Sequence, residues 1–307
     1  MSYHIVNIDS PQCEVFCKKG QLVCRAEGQP DKSLPLEDVA AIVITSFSAH
    51  LHSHLLLEAA RLGVALVVCE AFKPVSLLLP ANRSSDTLLT KASVALPVAT
   101  SVSLWRKTVD AKCANQAAVA LTIAPQHPKL ATLQRIARGR SEHKEAACAR
   151  VYWGIYGRAL ADSGFRREPG QEGLNSLLNY GYAVLLSLVL QKLFALGLDP
   201  TFGLAHAPRE RSTPLAYDLM EPFRPAVDRR VAQWVQTQAA GNYQLTLEFR
   251  RWVTGFTLER VGYLEIELQL HHCVESVLRS FRKAVLFKQA RFYRPWNLNP
   301  SDSKWAG

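Results

Sequence analysis

The 307 residues contain no G-x-x-x-x-G-K-[ST] loop, no G-x-G-x-x-G fingerprint, no H-E-x-x-H and no G-x-S-x-G. These absences argue against nucleotide-driven motors, Rossmann enzymes and serine hydrolases, which need those spacings to cradle a phosphate or expose a nucleophile. Paired cysteines are lacking too. The seven cysteines (13, 17, 24, 69, 113, 148 and 273) form no C-x-x-C and are odd in number, a pattern of reduced thiols in a cytoplasm rather than a disulfide frame. The first residues, MSYHIVNIDS, lack the basic start and apolar run of a signal peptide. Tyr182 to Leu190, the longest apolar run of interest, is too short to cross a bilayer. The expectation is a soluble, cytoplasmic protein with no membrane partner.

Positive charge is abundant. The formal net charge is +10 and the isoelectric point about 9.4, which favours a polyanionic partner such as nucleic acid. The charge is also localised. Ser101 to Arg150 holds nine Lys or Arg against three acids, and Ser276 to Pro300 holds six against none. The rest of the chain is close to neutral.

Chain length and pattern predict two domains of an α+β protein: a small β-rich domain over residues 1–81, a polar linker at 82–87, and a larger all-α domain over 88–307. HIVNI, CEVFC, QLVCRA, VAAIVIT, VALVVC and PVSLLL read as strands, and Lys18-Lys19-Gly20 as a hairpin signal. A helix is expected from His50 to Leu62, stopped by Gly63. Further helices are expected over 103–121, 130–138, 141–160 and 174–196. Another begins after Thr213 and Pro214, a fair N-cap and first position, and runs to about Gln238 with a bend at Pro222. One long helix, or two in succession, is expected from Leu258 to Tyr293.

His50, His52 and His54 have no cysteine or acidic ligand at useful spacing, so a solvated helix start is the better reading. Glu145 follows the basic run Arg135, Arg138, Arg140 and Lys144, where an ion pair is the ordinary explanation. His206 follows a turn-rich stretch, and a single loop histidine is more often structural than a ligand. Asp218 and Glu221, three apart, share a helical face and could simply be acids near a helix N-terminus. Together these residues form a hard-cation set suited to Mg²⁺ or Mn²⁺ on phosphate oxygens. Spacing alone does not say whether they meet.

Five segments in order are W-R-K-T-V-x-A-K-x-x-N-Q (105–116), E-A-A-x-x-x-x-Y-W (145–153), L-N-S-L-L-N-Y-G-Y (174–182), G-L-D-P-x-x-G-x-x-H (197–206) and D-L-M-E-P-F-R-P (218–225). Through them, nearly the whole chain resembles the catalytic subunit of the CRISPR adaptation integrase. The resemblance implies metal ligands at Glu145, His206 and Glu221, with Asp218 beside the metal and assisting. It implies an Mg²⁺- or Mn²⁺-dependent DNA endonuclease and integrase that inserts short duplexes into a CRISPR array. It further implies an N-terminal β domain that forms a homodimer, and two such dimers bridged by a dimer of a small ferredoxin-like partner subunit. The DNA partners would be the prespacer duplex and the leader–repeat. Arg135, Arg138, Arg140, Arg279, Arg282 and Lys283 are the candidates for lying along DNA backbones. For the last three, a solvated basic helix is the rival reading. A non-catalytic basic scaffold that binds DNA or RNA, and a standalone nuclease, are the alternative functions.

Overall fold

Lys19 and Gly20 both adopt positive φ, +50° and +74°, which is what a two-residue turn between right-twisted strands requires. They join the first hairpin of a computed structural model that describes residues 4–70, 73–78, 87–160, 164–168, 172–205, 213–238 and 243–298. The strand-rich part comprises β1 (His4–Ile8), β2 (Glu14–Lys18), β3 (Gln21–Arg25), β4 (Lys32–Pro35), β5 (Val39–Ile44), β6 (His50–Leu51), helix α1 (Ser53–Arg61), β7 (Ala65–Glu70) and β8 (Lys73–Leu78). One sheet runs β1-β5-β7-β8, parallel except for β8; the other runs β4-β3-β2-β6. Val15, Leu22, Ile42 and Leu55, drawn from both sheets and α1, are fully buried in a common core with Leu36 of the turn between β4 and β5.

The remainder is mostly helical: α2 (Thr87–Val94), α3 (Val98–Ile123), α4 (Leu130–Arg138), α5 (Lys144–Ala159), α6 (Leu174–Ala195), α7 (Pro214–Met220), α8 (Arg224–Gln236) and α9 (Leu247–Thr254). A short hairpin of β9 (Arg260–Tyr263) and β10 (Ile266–Gln269) then leads into α10 (Leu270–Leu286). α6 is the centre of this part. It packs against β5, β7 and β8 on one side and against α7, α8, α9 and α10 on the others. Each fully buried Leu or Val contributes about 1.5–3 kcal/mol, and from Leu177 to Leu193 nearly every side chain is buried. Gly181 permits a close approach of α8: a Cβ there would clash with Val227 Cγ1.

Several expectations are corrected. The helix expected from His50 begins at Ser53: His50 lies on a strand and His52 is the N-cap residue of α1. The His52 ring lies against Phe16. The all-α expectation misses the β9–β10 hairpin, where Val261 and Tyr263 alternate inward and the turn at Leu264-Glu265 takes φ of +47° and +70°. α5 begins three residues after Ser141, whose Oγ accepts the His143 N–H in a preceding turn. Leu174 to Leu193 is long and apolar enough to cross a membrane; the apolar run is longer than the sequence pattern suggested, and it is buried in the fold. Residues 82–86 of the expected linker lie outside the described residues, and Thr87 already opens α2.

Candidate active site

Pro222 has no N–H to donate, and the chain answers by breaking the helix. α7 ends at Met220, a single tight turn covers Glu221–Phe223, and α8 starts at Arg224. The break turns the Glu221 side chain toward α3 and α5. Asn115 of α3 holds the turn in place: its Nδ2 donates to the carbonyls of Pro222 (2.7 Å) and Trp296 (3.1 Å), and its Oδ1 accepts the Leu298 N–H. Phe223 and Trp296 stack face to face beside it, 7° from parallel.

One turn before Asn115 on the same face stands Lys112. Its Nζ lies 2.7 Å from Glu145 Oε1 and 2.7 Å from Glu221 Oε2. Carboxylates from the start of α5 and from the α7–α8 break therefore converge on one cation, with these two oxygens separated by no more than twice that distance. The Lys112 side chain is 13% exposed and that of Glu221 is 5% exposed, whereas Glu145 at 39% reaches solvent. Burial disfavours the ammonium, but Glu221 and then Glu145 outweigh it, and the Lys112 pKa stands above the usual lysine value. A neighbouring pair, Lys144 to Asp110 at 2.6 Å, ties α5 to α3 a second time.

Glu221 is also gripped from behind. Arg224 Nε lies 3.2 Å from Glu221 Oε1, and the Arg224 guanidinium sits 4.9 Å from the centre of the Tyr182 ring. Tyr182 in turn donates to Asp228 Oδ1, Tyr152 donates to Asp228 Oδ2 (2.8 Å), and Tyr156 to the Asp228 carbonyl (2.7 Å). Burial pushes the Asp228 carboxyl up to about 6, although the two phenols and the charges of Arg167 and Arg224 act against it.

Asp218 is placed differently from the pair. It is fully buried, and its Oδ2 accepts the backbone N–H groups of Leu204 (2.5 Å) and Ala205 (3.2 Å). It thereby fixes the loop that leads directly to residue 206. Pro200, earlier in the loop, accepts the Leu215 N–H at 2.9 Å. His206 itself lies outside the described residues. Among the described residues no group of three His, Cys, Asp or Glu forms a ready metal cage, so the gathered pair is Glu145 and Glu221.

The two basic stretches differ. α4 buries Leu130, Leu133 and Ala137 and exposes Arg135 and Arg138, with Arg140 exposed just beyond; none of the three makes an ion pair among the described residues. On α10, Arg279 is held by Glu275 (2.6 Å), Arg282 donates to the Leu196 carbonyl (3.2 Å), and Lys283 lies over the Phe292 ring. Sequence reasoning assigned no role to Lys112, Asn115, Arg224 or Asp228. The signal available was the motif pair Lys112 and Asn115, three apart on one helix face, and the Arg of D-L-M-E-P-F-R-P.

Comparison with known proteins places the chain as a whole. A sequence profile of the CRISPR associated protein Cas1 family matches residues 6–248. A CRISPR-associated endonuclease Cas1 of Neisseria meningitidis serogroup C is 28% identical over 286 residues, covering 89% of this chain and 90% of that one. A second such endonuclease, from Pyrobaculum aerophilum, is 37% identical over 138 residues, 44% of this chain and 46% of its own length. Among solved structures, a casposase bound to its integration product superposes with a TM-score of 0.78 at 17% identity, over 100% of this chain and 98% of that one. A chain of a Cas6-RT-Cas1–Cas2 complex superposes at 0.73 and 14% identity, over 96% of this chain and 36% of that one. With four-fifths of its length inside the profile, and the fold shared end to end, the chain belongs to the CRISPR associated protein Cas1 family.

Proposed function

We propose that this protein is a divalent-metal-dependent DNA endonuclease and integrase that joins short duplexes into a CRISPR array. The observation that carries the reading is the meeting of Glu145 and Glu221 on one cation at 2.7 Å each. Two carboxylates on one cation, with Glu145 39% exposed to solvent, suit a hard, oxygen-seeking ion, and the Lys112 ammonium is a stand-in for it. Glu145 and Glu221, with His206 as a nitrogen ligand or proton shuttle, would hold Mg²⁺ or Mn²⁺. When bound, such an ion lowers the pKa of an attacking alcohol and offsets charge developing at phosphorus.

The chain's own residues do the rest. Asp218 holds the loop before His206 at a fixed height over α7. Arg224 and Asn115 fix the Glu221 turn, so that the carboxylate is oriented before substrate arrives. Arg135, Arg138 and Arg140 hold phosphates along the duplex. The reaction itself is an exchange: a 3′-hydroxyl oxygen bonds to phosphorus, the bond to another 3′ oxygen breaks, and the displaced oxygen takes up the proton. The number of phosphodiesters is unchanged, so no nucleotide cofactor is needed.

The same reading takes residues 1–81 as a homodimerising β domain, 82–87 as a linker and 88–307 as the catalytic domain. The likeness to a chain of a complex that contains Cas2 supports a small Cas2-type partner; the reading further takes two dimers to be bridged by a partner dimer. The free thiols of the six described cysteine side chains go with a cytoplasmic setting. Strand transfer of a labelled duplex into a leader–repeat plasmid tests the reading. It should require Mg²⁺ or Mn²⁺, cease in EDTA, and be lost in His206→Ala with DNA binding kept. Integration in EDTA, or at the parent rate in that variant, contradicts it; binding without any joining would favour a scaffold.

A further inference from the structure

Lys112 has a position that a structural ion pair does not require. Buried ion pairs seldom stabilise a fold more than apolar residues of the same volume, yet here one ammonium is shared by two carboxylates from separate elements. The elements do not depend on it for their placement. α3 and α5 are tied by Lys144 to Asp110, and α3 and the Glu221 turn by Asn115 to the Pro222 carbonyl. What Lys112 contributes is charge, on a flexible four-carbon stem that can swing without backbone movement.

We propose that Lys112 is a resident cation of the metal-free site: it holds Glu145 and Glu221 together until a divalent ion takes its place, and it then turns to a phosphate oxygen of the bound DNA. The inference rests on the metal-dependent reading of this site. The charge count gives the direction of the exchange. Among the described residues, Glu145 and Glu221 are balanced by Lys112 and Arg224, so these four side chains sum to zero. A dication at the carboxylates raises the group to +2. Lys112 loses its partners at that moment, and the displaced ammonium, beside the half-exposed Glu145, faces the phosphodiester that the site receives. Like-charge repulsion from the ion drives it outward, and a phosphate draws it. The lysine thus screens the two carboxylates from one another before loading, and adds positive charge to the reacting phosphate afterwards.

Two measurements test this on the full-length protein. The first needs no substitution: lysine footprinting by reductive dimethylation, read by mass spectrometry at Lys112, in EDTA, in Mn²⁺, and in Mn²⁺ with branched DNA. Labelling should be slow in EDTA, rise about tenfold in Mn²⁺, and fall again when DNA is added. The second is calorimetric titration of Mn²⁺ into the parent and Lys112→Met. The variant should bind Mn²⁺ several-fold more tightly while losing about a hundredfold in strand transfer. Weaker Mn²⁺ binding by the variant, or labelling unchanged by Mn²⁺ in a parent that binds the ion, overturns the role of Lys112 and leaves the metal reading standing. A parent that binds no Mn²⁺ removes both. If Lys112→Met fails to fold, the footprint on the parent decides.

Discussion

Glu221 and Asp228 lie seven residues apart, both are buried, and Arg224 acts on each of them; they are nonetheless different kinds of acid. Glu221 is matched with the ends of long cationic side chains, Lys112 and Arg224, and shares Lys112 with the half-exposed Glu145. Those partners can be exchanged for another cation. Asp228 is closed in by Tyr152 and Tyr182, which are rigid, uncharged and fully buried with it. Nothing there can leave. Burial of a carboxylate therefore does not distinguish function from framework, whereas the mobility and charge of its partners does. Asp228 contacts Tyr182, Tyr182 carries Arg224, and Arg224 pairs with Glu221, so Asp228 supports Glu221 at two removes.

The largest expected effect separates the two. Glu221→Gln should lower strand transfer by about a thousandfold or more, with unfolding free energy within about 1 kcal/mol of the parent. Asp228→Asn should do the reverse. It should cost about 2–3 kcal/mol in denaturant unfolding while lowering strand transfer of the folded protein by less than about tenfold. Equal losses of activity in the two variants would erase the distinction.

A pH series sharpens it. The folded Asp228 carboxyl titrates near 6, above the ordinary 3.8. Between those values the native state holds a proton that the unfolded chain has released, so the contribution of Asp228 is complete below about pH 4 and is lost as pH rises through about 6. The stability advantage of the parent over Asp228→Asn should accordingly shrink by up to about 3 kcal/mol from pH 4 to pH 6.5. A constant or growing advantage would contradict the burial argument.

The two basic stretches extend the same lesson at smaller magnitude. Both carry a similar excess of charge in sequence, but α10 commits its cations to Glu275, a carbonyl and an aromatic ring, whereas α4 leaves them facing solvent. Arg135→Ala with Arg138→Ala should weaken duplex binding and flatten the salt dependence by about one for each phosphate no longer neutralised. Arg279→Ala should change binding by less than about twofold, since its charge is already matched. Fluorescence anisotropy over a salt series distinguishes them, and equal slopes in the two variants would put α10 back on the DNA.

Much of the fold was legible because local signals agreed with the global outcome. The Lys19-Gly20 turn and the Pro222 break each follow from backbone sterics that no tertiary packing opposes. The β9–β10 hairpin was not legible, because its turn forces Leu264 and Glu265 into a region that favours glycine, and the helical pattern on either side masks it. His50 was misplaced for a related reason: its segment gains more by pairing with β2 than by lengthening α1. At the site, Glu145 and Glu221 stood out only through the resemblance that the motifs carry, since spacing alone left their meeting open. Lys112 was hidden because a lysine on a basic helix looks solvated until the carboxylates across from it are seen.

The most direct measurement is anomalous diffraction at the manganese edge from crystals of the parent soaked in Mn²⁺. A single peak between the carboxylates of Glu145 and Glu221, with the Lys112 ammonium moved off that point, is the predicted result. A peak elsewhere in the molecule, or none while Lys112 still bridges both carboxylates, would contradict it.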